Sequence, residues 1–284
     1  MKTPLQRARA SLEGLSVGDA LGERFFGPPS EVVPRIARRE VPPGPWRYTD
    51  DTEMALSVYE VLEQIGRINP GALADALARR FDITRGYGAG ARELILAFQR
   101  SASWREAAQL FEGEGSYGNG AAMRAGPIGA FFADDLQAVV DNAREASRVT
   151  HTHVDGQAGG IAVAVAAALA YHQRFEWPSL LERVPAGQVL DGLTRAAALD
   201  PAMEPVQAAR ELGSGQRISA ADTVPFAIWS AWRSPDDYEQ CFWATVAGLG
   251  DRDTTCAIAG SIVSLSSNGP PAEWVARRET LPLE

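Results

Sequence analysis

The sequence predicts an all-α fold, and three observations support this prediction. Apolar residues recur at spacings of three and four along most of the chain, which is the period of an amphipathic helix. Helix-start signals, such as Thr3-Pro4 and Asn69-Pro70, stand where periodic stretches begin. No stretch has the sustained β-branched alternation that is typical of a strand. We therefore expect one helical domain over residues 1–284.

The individual helices follow from the pattern in chain order. The first helix carries the apolar stripe Leu5, Ala8, Leu12 and Leu15. The second carries Met54, Val58, Leu62 and Ile65 and is ended by Gly66, and the third carries Leu73, Leu77 and Phe81. Further helices are predicted over residues 90–99, 104–111, 136–149, 160–172, 225–232, 238–249 and 255–265. The longest apolar run, Ala158 to Tyr171, is shorter than the roughly 20 residues of a membrane span, so we expect a buried core helix.

A proline-rich segment separates the first two predicted helices. Six prolines lie between residues 27 and 45. Long loops of this kind in compact domains are often lids or binding loops, although a surface spacer is the alternative.

The composition of the chain and its net charge limit the classes of protein to which it can belong. The formal net charge of −9 argues against sequence-independent binding of nucleic acid, which requires a basic surface. Cys241 and Cys256 show no CxxC spacing and suit a reducing compartment as small core residues.

The N-terminus shows no apolar stretch of a secretory signal, so we expect a cytoplasmic protein without a membrane anchor. Nothing specifies an interface between copies, and a monomer is the default expectation.

Two acidic motifs stand at predicted helix starts. They are Thr49-Asp50-Asp51-Thr52 and Asp251-Arg252-Asp253-Thr254. Each motif alone fits a helix N-cap. If the fold brings the two helix ends together, however, the like charges would crowd at high cost unless cations neutralise them. Carboxylate and hydroxyl oxygens are the ligands that Mg²⁺ or Mn²⁺ prefers, so the pair of motifs predicts a site for divalent cations.

Three weaker signals could contribute to a ligand site. In the turn Tyr117-Gly118-Asn119-Gly120 the glycines let backbone N–H groups approach a phosphate, although a plain turn is the alternative. His151 and His153 could contact a ribose or base, cap a helix or, with less support, bind zinc. Asp19 and Glu23 lie one helical turn apart and could act as a supporting partner and a general base, or form a solvated face.

In order along the chain, these stretches resemble the signatures of the ADP-ribosylglycohydrolase family. The matching segments are GDALG at 18–22, TDDT at 49–52, GNGAAMR at 118–124, THTHVDG at 150–156 and DRDT at 251–254. The resemblance implies an all-helical orthogonal bundle around a dinuclear site that holds two Mg²⁺ (or Mn²⁺) ions. It also implies an activity that removes ADP-ribose from modified proteins.

The resemblance assigns a role to each motif. The metal ligands that it implies are Thr49, Asp50, Asp51, Asp251, Asp253 and Thr254. The catalytic residues that it implies are Glu23, Asp50, Asp51 and Asp253. The implied substrate-binding residues are Asp19, Tyr117, Gly118, Asn119, Gly120 and His151.

The chain departs from the family pattern at two positions. Many relatives have a glutamate where this chain has Phe26, so either Glu23 or Glu31 could be the acid/base, and we favour Glu23. Some arginine-directed relatives have an aspartate at the position of Gly115, and its absence here, beside Glu114, weakens the case for an arginine linkage.

Three functions remain open at this stage. The leading one is a divalent-metal-dependent hydrolase that releases ADP-ribose from a serine or arginine side chain of a modified protein. A second is hydrolysis of small ADP-ribosyl conjugates, another nucleotide-sugar or a phosphoester. The third is a non-catalytic module that binds ADP-ribose, which the misplaced glutamate would fit.

Overall fold

The computed structural model describes residues 2–100, 103–108 and 113–283, and in this part of the chain the only regular elements are helices. The sixteen α-helices are α1 Pro4–Gly22, α2 Pro29–Ala37, α3 Asp50–Ile65, α4 Pro70–Arg80, α5 Ala89–Gln99, α6 Trp104–Ala107, α7 Gly126–Phe131, α8 Leu136–Arg148, α9 Val154–Tyr171, α10 Trp177–Leu181, α11 Gln188–Ala198, α12 Pro205–Leu212, α13 Ala220–Arg233, α14 Tyr238–Val246, α15 Arg252–Ser266 and α16 Ala272–Arg277. The predicted all-α class is confirmed.

The first and the last long helices form an unusually close antiparallel pair. A Cβ atom added at Gly14 would lie 2.4 Å from the carbonyl oxygen of Gly260, and one at Gly18 would lie 2.2 Å from that of Cys256. Gly22 faces Arg252 in the same way, at 2.5 Å. Because these three glycines of α1 are spaced by four residues, they form one face without side chains, which lets the two backbones touch.

Helix α9 lies at the centre of the bundle. It contacts α7, α8, α13 and α15, and its residues from Ala158 to Val165 are fully buried. It is long and apolar enough to cross a membrane by length and composition alone, but 83% of its residues are buried inside the protein. The predicted core helix is therefore found, although it begins at Val154, six residues before the predicted start.

Capping residues fix the helices that lead into the acidic motifs. Thr49 is the N-cap of α3, with its side chain accepting a hydrogen bond from the Asp51 N–H, and Gly66 ends this helix with φ of +75°. Asn69 caps α4 through the N–H of Ala72. These boundaries agree with the prediction, since side-chain oxygens at an N-cap and glycine after the last turn are local signals.

Several elements differ from the prediction. The proline-rich segment is not a plain loop, because α2 lies within it with Pro29 in its first turn and Pro34 inside it. Helix α13 begins at Ala220 rather than Pro225, and α14 ends at Val246 rather than Leu249. Of the helix predicted over 104–111, residues 104–107 are helical, and 109–111 lie outside the described residues. Periodicity did not reveal α10, α11, α12 and α16.

Candidate active site

Three helix ends meet around a cluster of carboxylates. Asp19 lies near the end of α1, Asp51 in the first turn of α3 and Asp253 in the first turn of α15. One carboxylate oxygen from each of the three lies within 4.8 Å of the others. The fold thus brings together the two acidic motifs, which are far apart in the sequence.

Asp19 holds the start of α3 in place. Its carboxylate accepts hydrogen bonds from the Thr49 N–H at 3.0 Å, the Thr49 Oγ1 at 2.8 Å and the Thr52 N–H at 3.1 Å, and from the Thr52 hydroxyl. The side chain is fully buried and does not line the cavity described below. Asp19 therefore supports the acidic centre from beneath, whereas the sequence had placed it among the substrate contacts.

One oxygen of Asp51 has no hydrogen-bond partner in the part of the chain that the structure describes. Its Oδ2 atom is within 3.0 Å of the Thr49 hydroxyl and 3.3 Å of the Thr254 hydroxyl, whereas its Oδ1 atom is buried without a hydrogen bond. An unpartnered buried carboxylate oxygen is costly. A cation at this point would remove the cost.

Burial and mutual repulsion raise the pKa of the carboxyl groups. Burial raises the pKa of Asp19 to about 6 and that of Asp50 to about 7, with the charge of Asp19 adding to the shift of Asp50. The pKa values of Asp51 and Asp253 are also raised, first by burial and then by the neighbouring carboxylates. Such a cluster is stable at neutral pH only when protons or cations neutralise it, and the all-oxygen donor set fits Mg²⁺ or Mn²⁺.

A cavity of about 470 Å³ opens above the acidic centre, which is within the range of small-molecule sites. Its lining includes the acidic-motif residues Asp50, Asp51, Asp251, Asp253 and Thr254. It also includes the glycines Gly86, Gly88 and Gly90 and the predicted ligand residues Tyr117, Gly118, Asn119, Gly120 and His151. A larger cavity of about 920 Å³ lies across the loop 213–219 and contains none of the predicted site residues. The smaller cavity is therefore the candidate active site.

The glycine-containing turn is tied to the acidic centre by Asn119. The Asn119 side-chain Nδ2 donates to Asp251 Oδ2 at 2.7 Å and to Thr223 Oγ1 at 3.1 Å. The Gly118 N–H donates to Ser116 Oγ at 3.1 Å, and the Asn119 N–H to the carbonyl of Ile218 at 3.3 Å. Two of the N–H groups expected to bind phosphate are thus already bonded inside the protein.

His151 lies against this turn as a neutral ring. A Cβ atom at Gly120 would lie 3.3 Å from the ring, and one at Gly118 would lie 3.6 Å from it. The ring Nδ1 is 2.6 Å from the Thr150 hydroxyl. Burial, helped by the charge of Arg124, lowers the pKa of His151 to about 3, so the ring carries no charge at neutral pH.

His153 serves a local structural role. Its Nδ1 accepts a hydrogen bond from the Asp155 N–H at 3.1 Å and so caps α9. Its ring lies edge-on to the exposed ring of Tyr117, with 5.8 Å between centroids. The carboxylate cluster found in the described residues includes no histidine, so the geometry favours capping over zinc binding.

Arg124 is a supporting residue to which no sequence motif assigned a role. The side chain is fully buried and donates to the carbonyls of Gly120 at 2.8 Å and Ala146 at 3.0 Å, and to the Thr150 hydroxyl at 2.7 Å. It thereby joins the glycine turn to the end of α8. A lone arginine within the apolar stretch Ala121 to Ala125 was the available signal.

The two candidate acid/base residues lie outside the cavity lining. Glu23 follows α1 directly and is exposed, yet partial burial and the charges of Asp19 and Asp251 raise its pKa. Glu31 is exposed in the first turn of α2. Phe26 is 45% exposed, and the guanidinium of Arg252 lies 5.0 Å from its ring centroid. The electrostatic link to the acidic centre favours Glu23.

The fold and the acidic centre define a class of all-helical proteins with a carboxylate cluster beneath a ligand cavity. A solved structure described as an ADP-ribosylglycohydrolase-related protein complex matches this fold with a TM-score of 0.71 at 24% identity, covering 98% of this chain and 94% of the other.

Sequence comparison then identifies the family. The profile of the ADP-ribosylglycohydrolase family matches residues 1–281. An uncharacterised protein of Archaeoglobus fulgidus is 31% identical, with 95% of this chain and 90% of the relative covered. The ADP-ribosylhydrolase ARH3 of Bos taurus is 28% identical, with 91% and 84% covered, and the ADP-ribosylarginine hydrolase Tri1 of Pseudomonas putida is 27% identical, with 96% and 74% covered. The chain belongs to the ADP-ribosylglycohydrolase family.

Proposed function

We propose that the protein is a divalent-metal-dependent hydrolase that releases ADP-ribose from a serine or arginine side chain of a modified protein. The observation that carries the proposal is the buried, unpartnered Oδ1 atom of Asp51 within a cluster of carboxylates whose pKa values are raised. Membership of the family and the similarity to ADP-ribosylhydrolases support the type of substrate.

The proposed metal ligands are Thr49, Asp50, Asp51, Asp251, Asp253 and Thr254. Two Mg²⁺ or Mn²⁺ ions there would neutralise the carboxylates and supply an activated water and a template for the sugar hydroxyls. Asp19 orients Thr49, and Asn119 orients Asp251, so each motif has a buried partner that fixes its geometry.

Glu23 is the proposed general base. Its raised pKa brings the carboxyl group closer to the range in which it can exchange a proton near neutral pH. Tyr117, Gly118, Gly120 and His151 line the same cavity and are proposed to contact the rest of the ADP-ribosyl group.

The test is release of free ADP-ribose from peptides that carry the modification on serine or on arginine, with Mg²⁺, Mn²⁺ or EDTA. We expect metal-dependent release from at least one peptide. Asp253→Asn should lower the rate by orders of magnitude, whereas Asp236→Asn, at an exposed carboxylate outside the cavity, should not. Full activity of Asp253→Asn would contradict the metal site.

Two further variants compare Glu23 with Glu31 as the general base. Glu23→Gln should slow turnover more than it weakens ADP-ribose binding, and Glu31→Gln should leave both close to wild type. The opposite ranking would show that Glu31 is the base. Tight ADP-ribose binding without release from either peptide would support the binding-module function, for which the phenylalanine at position 26 is the observation in favour.

A further inference from the structure

The side chains that line the candidate cavity carry one positive charge among many negative ones. Within the described residues, the lining includes the carboxylates Asp50, Asp51, Asp251 and Asp253, and its single cation is Arg217. The His151 ring is neutral because burial lowers its pKa to about 3. A dianionic pyrophosphate that enters this cavity would be repelled by these carboxylates unless cations offset their charge.

The glycine turn alone offers few donors to such an anion. The N–H groups of Gly118 and Asn119 are bonded to Ser116 and Ile218, and the Asn119 amide is bonded to Asp251. Metal ions at the acidic centre would neutralise only the charge of the carboxylates there. A pyrophosphate bound near the turn therefore needs another donor, and a positive charge would be the most effective one.

Arg217 lies on a loop that is fixed beside this turn. Its backbone N–H donates to Asp222 Oδ2 at 2.8 Å, and the next residue, Ile218, donates its N–H to the Gly215 carbonyl at 2.8 Å. The Ala220 N–H donates to the Tyr117 carbonyl at 3.0 Å, so the loop and the turn are joined through their backbones. The position of Arg217 relative to the turn is thus set before any ligand arrives.

The guanidinium group of Arg217 is available for a ligand. The side chain is exposed, and across residues 2–100, 103–108 and 113–283 it takes part in no ion pair or side-chain hydrogen bond. It lies at the rim shared by the candidate cavity and the larger cavity. An arginine fork bonds phosphate oxygens in pairs, which suits a pyrophosphate better than a single point charge does.

We propose that Arg217 binds the pyrophosphate of the ADP-ribosyl group and offsets the charge of the carboxylates that line the same cavity. The inference rests on the proposed function and adds to it a residue that selects for phosphate. If this inference holds, the loop 213–219 helps the glycine turn to distinguish ADP-ribose from uncharged nucleosides.

The test uses the full chain with saturating Mg²⁺ and isothermal titration with ADP-ribose, ADP and adenosine. Arg217→Gln should raise the Kd for ADP-ribose and for ADP by roughly 10- to 100-fold, as expected for the loss of a charged hydrogen-bonding partner. The Kd for adenosine should change by less than about threefold, since adenosine has no phosphate. Arg217→Lys should fall between wild type and Arg217→Gln.

Arg210→Gln is the matched control, because Arg210 is an exposed arginine that lines only the larger cavity. It should bind all three ligands like wild type. Unchanged ADP-ribose binding in Arg217→Gln, or an equal loss for adenosine, would overturn the assignment. If the wild-type protein binds no ADP-ribose, the proposed function fails together with this inference, whereas normal wild-type binding with an unaffected variant refutes the inference alone.

Discussion

Gly18→Ala tests whether the contact between α1 and α15 sets the geometry of the acidic centre. The added Cβ atom would lie 2.2 Å from the carbonyl oxygen of Cys256 and 2.7 Å from its carbonyl carbon. Both are backbone atoms, so no rotamer change can relieve the clash. The helices must separate by roughly 1 Å to restore van der Waals contact.

The expected cost follows from two opposing terms. Overpacking of a close backbone contact costs about 1–3 kcal/mol or more, and the upper end applies here because backbone must move. Alanine gains about 0.5–1 kcal/mol over glycine inside a helix. We therefore expect a net loss of about 2 kcal/mol in the free energy of unfolding, which lowers the Tm by roughly 3 °C in a chain of this length.

The assay is urea unfolding together with Mn²⁺ binding followed by electron paramagnetic resonance. Gly71→Ala is the control, since its Cβ atom would meet only Asn69 Oδ1, at 3.4 Å. Gly18→Ala should also weaken Mn²⁺ binding, because Asp19 is the next residue and holds Thr49. If Gly18→Ala unfolds at the same urea concentration as Gly71→Ala, the close packing does not limit stability and the reasoning is wrong.

Three further predictions concern the acidic centre and its support. In EDTA the free energy of unfolding should fall as the pH rises from about 4 to about 7, because the carboxyls of Asp19 and Asp50 have pKa values of about 6 and about 7 in the folded protein and of about 4 in the unfolded chain. Mg²⁺ should remove this loss, and equal stability at pH 5 and pH 7 without metal would contradict it. Asp51→Asn should weaken Mn²⁺ binding while leaving the metal-free Tm unchanged or higher, since it removes one buried charge; a large drop in the metal-free Tm would argue that this carboxylate is structural. Arg124→Met should lower the free energy of unfolding by roughly 2–4 kcal/mol, because two buried acceptors and one partly buried acceptor lose their donor. An unchanged midpoint in denaturant unfolding would show that this network does not stabilise the fold.

The helices that the sequence predicted are those with local signals. Helices α3 and α4 carry long apolar stripes and start at Thr49 and Asn69, whose side chains cap them. Helices α10 and α16 are only five and six residues long, too short for a periodic pattern to appear. Prolines stand at the start of α2 and α12, where they are compatible with a helix. Because prolines also occur in loops, they did not by themselves predict these two helices.

At the candidate site, too, the sequence predicted the types of residue but not the contacts between them. The residue types in the two acidic motifs indicated a cation site, but only the fold shows that Asp51 and Asp253 meet. No local pattern could reveal that Asn119 bonds Asp251 across 132 positions of the chain, or that Asp19 lies beneath the cavity rather than in its lining. Such contacts depend on helix packing over long sequence distances, which spacing does not encode.

The pairing of α1 with α15 also has a consequence for how the protein is made. A ribosome synthesises α1 long before Arg252–Ser266, the partner helix that covers its glycine face. Until α15 emerges, Asp19 has no carboxylate of that helix beside it, and the proposed cation site is incomplete. Nascent chains that stop before residue 252 should therefore bind no divalent ion at this site, so that metal binding would wait for the synthesis of α15.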